Sequence, residues 1–196
     1  MSVRPTTSED TLERQLLFEN PAPFVSSSSW AIIDKQNGEL LFAKCENEQR
    51  QVASLTKIMT AYVVIGIISR YKMNEHETFV RVLPSAVKLI GTSASLIAGD
   101  ILSVWELLHG MMLPSGNDAA QSLAIHFGVF LLKEKFKQLY KNIDSNDANV
   151  ELILRTSLSN FECLEENQDV VSLALKEFFN LMNREAMFLK LNNSHF

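Results

Sequence analysis

The stretch "QVASLTKIMTAYVV", Gln51 to Val64, decides how this chain is read. From Ile58 onward nearly every residue is apolar, the composition of a core element. Ser54 and Lys57 stand at its threshold, three positions apart, where a core helix carries Leu or Ala. Residues i and i+3 of a helix share a face, so the Lys57 amine can approach the Ser54 hydroxyl. A serine hydroxyl is a poor nucleophile until a base takes its proton. A lysine desolvated against apolar walls holds its own proton weakly and can be that base. The helix N-terminus adds a potential that favours negative charge at Ser54. The plainer reading is an N-cap serine beside a lysine whose stem lies along apolar surface. Spacing alone does not separate the two, because Ser69/Lys72 and Ser85/Lys88 repeat the Ser-x-x-Lys pattern. Context does separate them: the first pair opens an apolar helix directly after a hairpin signal.

That signal is "WAIID" and "ELLFAK" flanking "KQNG", two β-rich runs joined where Asn37 and Gly38 tolerate positive φ. A helix is expected from Ser54 to about Arg70, and a short strand over Thr78 to Val82. Ser103 with Glu106 forms a capping box that opens a helix to about Met112. Pro114 stops it, and Asp118 to Phe127 reads as another buried helix. After Gly128 the texture turns charged and then loop-like, so 129–172 is expected to be an insertion, partly helical and solvated. Near the end, Leu175, Phe178, Phe179, Met182, Ala186 and Leu189 fall on one helical face. Residues 1–28 read as a polar, flexible leader and 29–196 as one partial domain.

The composition, 46% hydrophobic and 21% charged, is that of an ordinary soluble globular protein. A net charge of -5 without a dense Lys/Arg patch argues against a nucleic-acid partner. Cys45 and Cys163 give neither a disulfide framework nor a metal spacing. The N-terminus is too polar for a secretory segment, and the apolar run Ile58 to Ile68 is about half the length of a bilayer span. His109 and His126 are expected as core or rim histidines, and Trp105, Met111 and Met112 as core packing.

A second stretch, "LLHGMMLPSGNDAAQSLA", contains the only Ser-x-Asn in the chain, Ser115-Gly116-Asn117. It follows a proline and leads into a helix, so a tight turn presents its side chains between two buried helices. A hydroxyl and a carboxamide there can relay a proton and grip an amide. Ser, Asn and Asp are also what an ordinary helix cap uses.

Taken together, "SWAIIDKQNGELLFAKCENEQRQVASLTK", "AGDILSVWELLHGMMLPSGNDAAQSLAIHFG" and "LMNREAMFLKLNNSHF" resemble the penicillin-binding-protein and β-lactamase superfamily. The resemblance is closest to the low-molecular-mass D-alanyl-D-alanine carboxypeptidases, peptidase family S11. It implies an α/β (α+β) fold of the β-lactamase/transpeptidase type, with an N-terminal antiparallel hairpin and a helical cluster. It implies Ser54 as acylated nucleophile, Lys57 as its general base, Ser115 as proton relay and Asn117 as the group that binds the substrate amide. The implied ligand is a D-Ala-D-Ala-terminated peptide or a β-lactam, with no metal or organic cofactor, and family members are usually exported. One departure is plain: the family's third motif, Lys-Thr-Gly on an edge strand, occurs nowhere in the sequence. The expectation is therefore a domain lacking its C-terminal strands, with an inactive fragment or binding module as the rival reading.

Overall fold

The computed structural model describes residues 24–141 and 168–196, the backbone alone for 139–141. Most of the expected leader, residues 142–167 of the expected insertion, and Cys163 lie outside the described residues. Contacts divide the chain at Gln51/Val52 into two compact units.

The first unit contains the anticipated hairpin. Strands β1 (Trp30–Ile33) and β2 (Leu40–Lys44) pair antiparallel, Trp30 opposite Lys44, with a register shift between Ile32 and Ile33. Of the Asn-Gly pair only Gly38 takes positive φ, +73°. Asn37 contributes through its side chain, which accepts from the Glu39 amide at 2.8 Å. Asp34 closes the same loop, its carboxylate accepting from the Gln36 amide.

The second unit begins with a short 3-10 turn, Ala53–Leu55, that runs into helix α1 (Thr56–Tyr71). Its buried residues, Lys57, Met59, Thr60, Val63, Val64, Ile67 and Ile68, recur at helical spacing and form one face. The opposite face is not core: Leu55, Ile58, Tyr62 and Ile65 are all exposed. Ala53–Tyr71 is long and apolar enough to cross a membrane by length and composition, longer than the apolar run read from sequence. A core helix meets the same criteria. Lys72 ends α1 in the left-handed conformation, φ +52°.

Strand β3 (Phe79–Arg81) pairs antiparallel with β4 (Ile101–Ser103), a strand that the sequence did not signal. Between them lies the one-turn helix α2 (Pro84–Val87). Ser103 then caps helix α3 (Val104–Met112) through the full capping box: its hydroxyl accepts from the Glu106 amide, and Glu106 accepts from the Ser103 amide.

Helices α4 (Asn117–Lys141) and α5 (Gln168–Phe188) pack along each other. Leu123, Phe127, Phe178 and Met182 are fully buried in this region, each worth about 1.5–3 kcal/mol of apolar burial. The helices come close because Gly128 lacks a side chain: a Cβ there would lie 2.2 Å from the Ala174 carbonyl oxygen.

Three expectations change. The anticipated border after Gly128 falls inside α4, where Val129 and Leu132 are buried beside Leu83, Ile125 and Ala174. The charges that follow, such as Lys135 and Lys137, belong to the exposed side of the same helix. Of the expected α5 face only Phe178, Met182 and Ala186 are buried, Phe179 and Leu189 being each 41% exposed, and Ala174, not expected there, joins the buried stripe. Met111 is core, but Trp105 and Met112 are exposed.

Candidate active site

The nucleophile candidate sits in the 3-10 turn ahead of α1, where its side chain remains exposed. Ala53, directly before it, has φ +46°, and Ser115 has φ +59°. Non-glycine residues in this region each cost about 1–3 kcal/mol and persist only where surrounding contacts impose them. For Ser115 those contacts are visible. Its carbonyl accepts from the Thr92 hydroxyl at 2.5 Å, and the next amide, Gly116 N–H, donates to the Gly110 carbonyl at 3.1 Å. Asn117 N–H donates to the Thr92 carbonyl at 2.8 Å. Gly116 is buried, and a Cβ there would lie 2.7 Å from the Gly110 oxygen and 2.8 Å from the Ala94 Cβ. Small size at this position lets the turn lie against α3.

Lys57 brings the two stretches together. Its Nζ donates to Ser54 Oγ at 3.2 Å, to Ser115 Oγ at 3.3 Å and to Asn117 Oδ1 at 2.7 Å. An ammonium has three hydrogens, and all three find acceptors here. The shortest bond goes to a carboxamide oxygen, which can only accept. The two longer ones go to hydroxyls, which can also donate. When Lys57 loses a proton, the hydrogen on Asn117 can stay, and the lone pair faces a serine. Burial, with the side chain only 8% exposed, pushes the Lys57 amine below its ordinary 10.5, and the charge of Asp118 pulls the other way. Asn117 is fixed at its other end too, its Nδ2 donating to the Ile90 carbonyl at 2.8 Å.

Ser54, Lys57 and Asn117 border a cleft of about 410 Å³, with Gln121 beside them and Phe178 and Met182 among its apolar walls. The other Ser-x-x-Lys pairs are placed differently: Ser69, Lys72, Ser85 and Lys88 are exposed, so neither lysine is desolvated. His109 is exposed and stacks on Trp105 at 4.0 Å. His126 is pushed down to about 4, first by burial and then by Lys133. Among the described residues no group of three or more His, Cys, Asp or Glu is placed to hold a metal ion.

Sequence reading overlooked Asp118, taking it for one possible helix cap. It also passed over the 90–96 segment that grips the Ser115 turn. The available signal was a carboxylate between Asn117 and Ala119, at the mouth of an apolar helix.

Comparison with known proteins agrees with this architecture. Residues 17–129 match the D-alanyl-D-alanine carboxypeptidases of peptidase family S11, and the chain belongs to that family. The D-alanyl-D-alanine carboxypeptidase DacD of Escherichia coli is 34% identical over 112 residues, which is 55% of this chain and 29% of the relative. Among solved structures, the D-alanyl-D-alanine carboxypeptidase DacD of Francisella tularensis superposes with a TM-score of 0.60 at 25% identity, covering 89% of this chain and 31% of its own. The DD-transpeptidase of Streptomyces K15 gives 0.62 at 26%, covering 90% of this chain and 53% of that one. The fold is thus the α/β transpeptidase type, and the chain spans from under a third to about half the length of these proteins.

Proposed function

We propose that Ser54, Lys57, Ser115 and Asn117 form the acyl-transfer machinery of a serine-type D-Ala-D-Ala carboxypeptidase. The observation that carries this reading is the Lys57 amine, buried and in reach of both hydroxyls and the carboxamide. Neutral Lys57 takes the Ser54 proton as Oγ attacks the carbonyl carbon of the penultimate D-alanine. Ser115 passes a proton to the departing amine as the peptide C–N bond breaks, and Asn117 holds Lys57 in place. The second Nδ2 hydrogen of Asn117 is directed to the substrate amide carbonyl. Water then releases the acyl group from Ser54. The ligand class is a D-Ala-D-Ala-terminated peptide or a β-lactam, and no step calls on a metal or organic cofactor.

A second reading is a module that binds such ligands without turning them over; no Lys-Thr-Gly occurs in these 196 residues. In this family that strand supplies one oxyanion donor, and losing one costs on the order of 10²- to 10³-fold in rate. Acylation, a single event per chain, tolerates such a loss over a long incubation, whereas sustained release of D-alanine does not. Incubation with a fluorescent penicillin followed by denaturing gel and peptide mapping separates the readings. A covalent label on Ser54 is expected, absent in S54A and slowed by about 10²- to 10⁴-fold in folded K57R, whose guanidinium cannot deprotonate. A label elsewhere, or its survival in S54A, defeats the acyl-serine reading. Reversible binding without a label supports the module.

A further inference from the structure

The Ser115 turn is fixed from behind by a group to which the chemistry above gives no part. Asp118 follows Asn117 at the start of α4 and is 3% exposed. Its carboxylate accepts from the Ser93 hydroxyl at 2.6 Å, from the amides of Ala94 at 2.9 Å and Leu96 at 3.1 Å, and from the Ala119 amide at 2.9 Å. Burying a charge costs several kcal/mol unless its lone pairs are matched, and here four donors converge on it. Burial raises its affinity for a proton, but the bonds from Ala94, Ser93, Leu96 and Ala119 outweigh that and hold the carboxyl below its ordinary 3.8. Three of the four donors belong to the 93–96 segment. The Ser93 hydroxyl also accepts from the Ser95 amide at 2.8 Å, and Ser95 has φ +60°. The carboxylate therefore organises a tight loop around itself.

The residues just before that loop orient the site. Thr92 holds the Ser115 carbonyl and the Asn117 amide, and the Ile90 carbonyl holds the Asn117 carboxamide, whose other end holds Lys57. We propose that Asp118 is a positioning residue for acylation: its buried carboxylate locks the 90–96 segment against the 115–118 turn and so sets the direction of the Lys57 amine toward Ser54. The role rests on the acyl-serine reading above. It has a second, electrostatic side. Asp118 is the charged group acting on the Lys57 amine, from α4. The other groups facing that amine, Ser54, Ser115 and Asn117, are uncharged.

The two sides have opposite consequences, which makes the role testable. Removing the charge in D118N leaves the Lys57 amine less inclined to hold its proton, so the pH limb of Ser54 labelling moves lower. Loss of the lock lowers the plateau of the same profile by about tenfold or more. S93A keeps the charge and removes the carboxylate's shortest bond, so the plateau falls by about fivefold while the limb stays in place. The experiment measures fluorescent-penicillin labelling against pH for wild type, D118N and S93A. It also follows the Lys57 amine directly by ¹⁵N NMR titration, assigned with K57R. A folded D118N labelled at the wild-type rate, or with Lys57 titrating at the wild-type pH, overturns the proposal. Should D118N fail to fold, wild-type labelling of S93A overturns it equally. Should wild type take no label while Lys57 titrates lower in D118N, the acyl-serine reading falls and the coupling of Asp118 to Lys57 stands.

Discussion

The two halves of α4 are held by different physics. At its N-terminal end, Asn117 and Asp118 are fixed by directional bonds converging on a carboxamide and a carboxylate. At its middle, Gly128 is fixed by shape, with backbone against backbone at Ala174 and fully buried Phe127 and Phe178 nearby. The polar end has little tolerance in angle, whereas at Gly128 the tolerance that is lacking is in volume. A single rigid helix thus carries an error made in its packed half as lost stability, and an error made in its polar half as misdirected chemistry.

The sharpest way to break this contrast is G128V. Its branched side chain meets the Ala174 backbone, which cannot turn away as a side chain does. Stability should fall by more than about 3 kcal/mol, beyond the usual range for overpacking, while Ser54 labelling of the folded fraction is unchanged. Urea midpoints and labelling below the melting temperature check both halves of that statement. A G128V protein as stable as wild type would mean that α4 and α5 are free to separate.

Acid tests the same packed half through solvation. His126 is neutral in the fold down to about 4, against 6.5 in the unfolded chain. Between these values the unfolded state takes up a proton that the folded state refuses. Stability is therefore complete above pH 6.5 and falls by about 3 kcal/mol as pH drops toward 4. H126Q should flatten this slope in a series of urea melts; an unchanged slope would show that His126 is solvated.

The third perturbation addresses the polar half. G116A places a methyl against the Gly110 oxygen, the Asp118 carboxylate and Ala94, so the Ser115 turn must shift to make room. Such a displacement costs up to about 10²-fold when it misdirects a reacting group. Labelling of Ser54 should slow toward that factor, and the urea midpoint should fall as well, because the Gly110 oxygen is backbone and cannot turn aside. A large stability loss with labelling intact would reverse the assignment of the two halves.

The difference between the halves also explains what could be read from the chain. Polar constraints leave residue types behind. Ser54 with Lys57, Ser115 with Asn117, and Ser103 with Glu106 each name a geometry: the first and third pairs meet directly, and Ser115 and Asn117 meet at the Lys57 amine. Constraints of shape leave little trace. Gly128 next to a charged stretch looked like a boundary, although Val129 and Leu132 continue the buried face past it. β4 escaped notice because three residues, Ile101 to Ser103, are too few to show an alternation. Asp118 was visible but undervalued, since two of its four donors are backbone amides from a distant segment, and an amide carries no sequence signature.

Ala53 and Ser115 add a consequence of another kind. Both hold a left-handed backbone without being glycine, and both lie at the proposed chemistry. Strain of this sort persists where surrounding contacts impose it, and at these two positions it sits beside the proposed reactive groups. Under selection for stability alone, these are among the first positions from which the chain would drift, toward glycine at 53 and toward a relaxed turn at 115. A library of variants of this chain, sorted only for heat resistance, would therefore lose its reactive serine's bearing before it lost its fold. The two φ angles would report that loss before any change at Ser54 or Lys57.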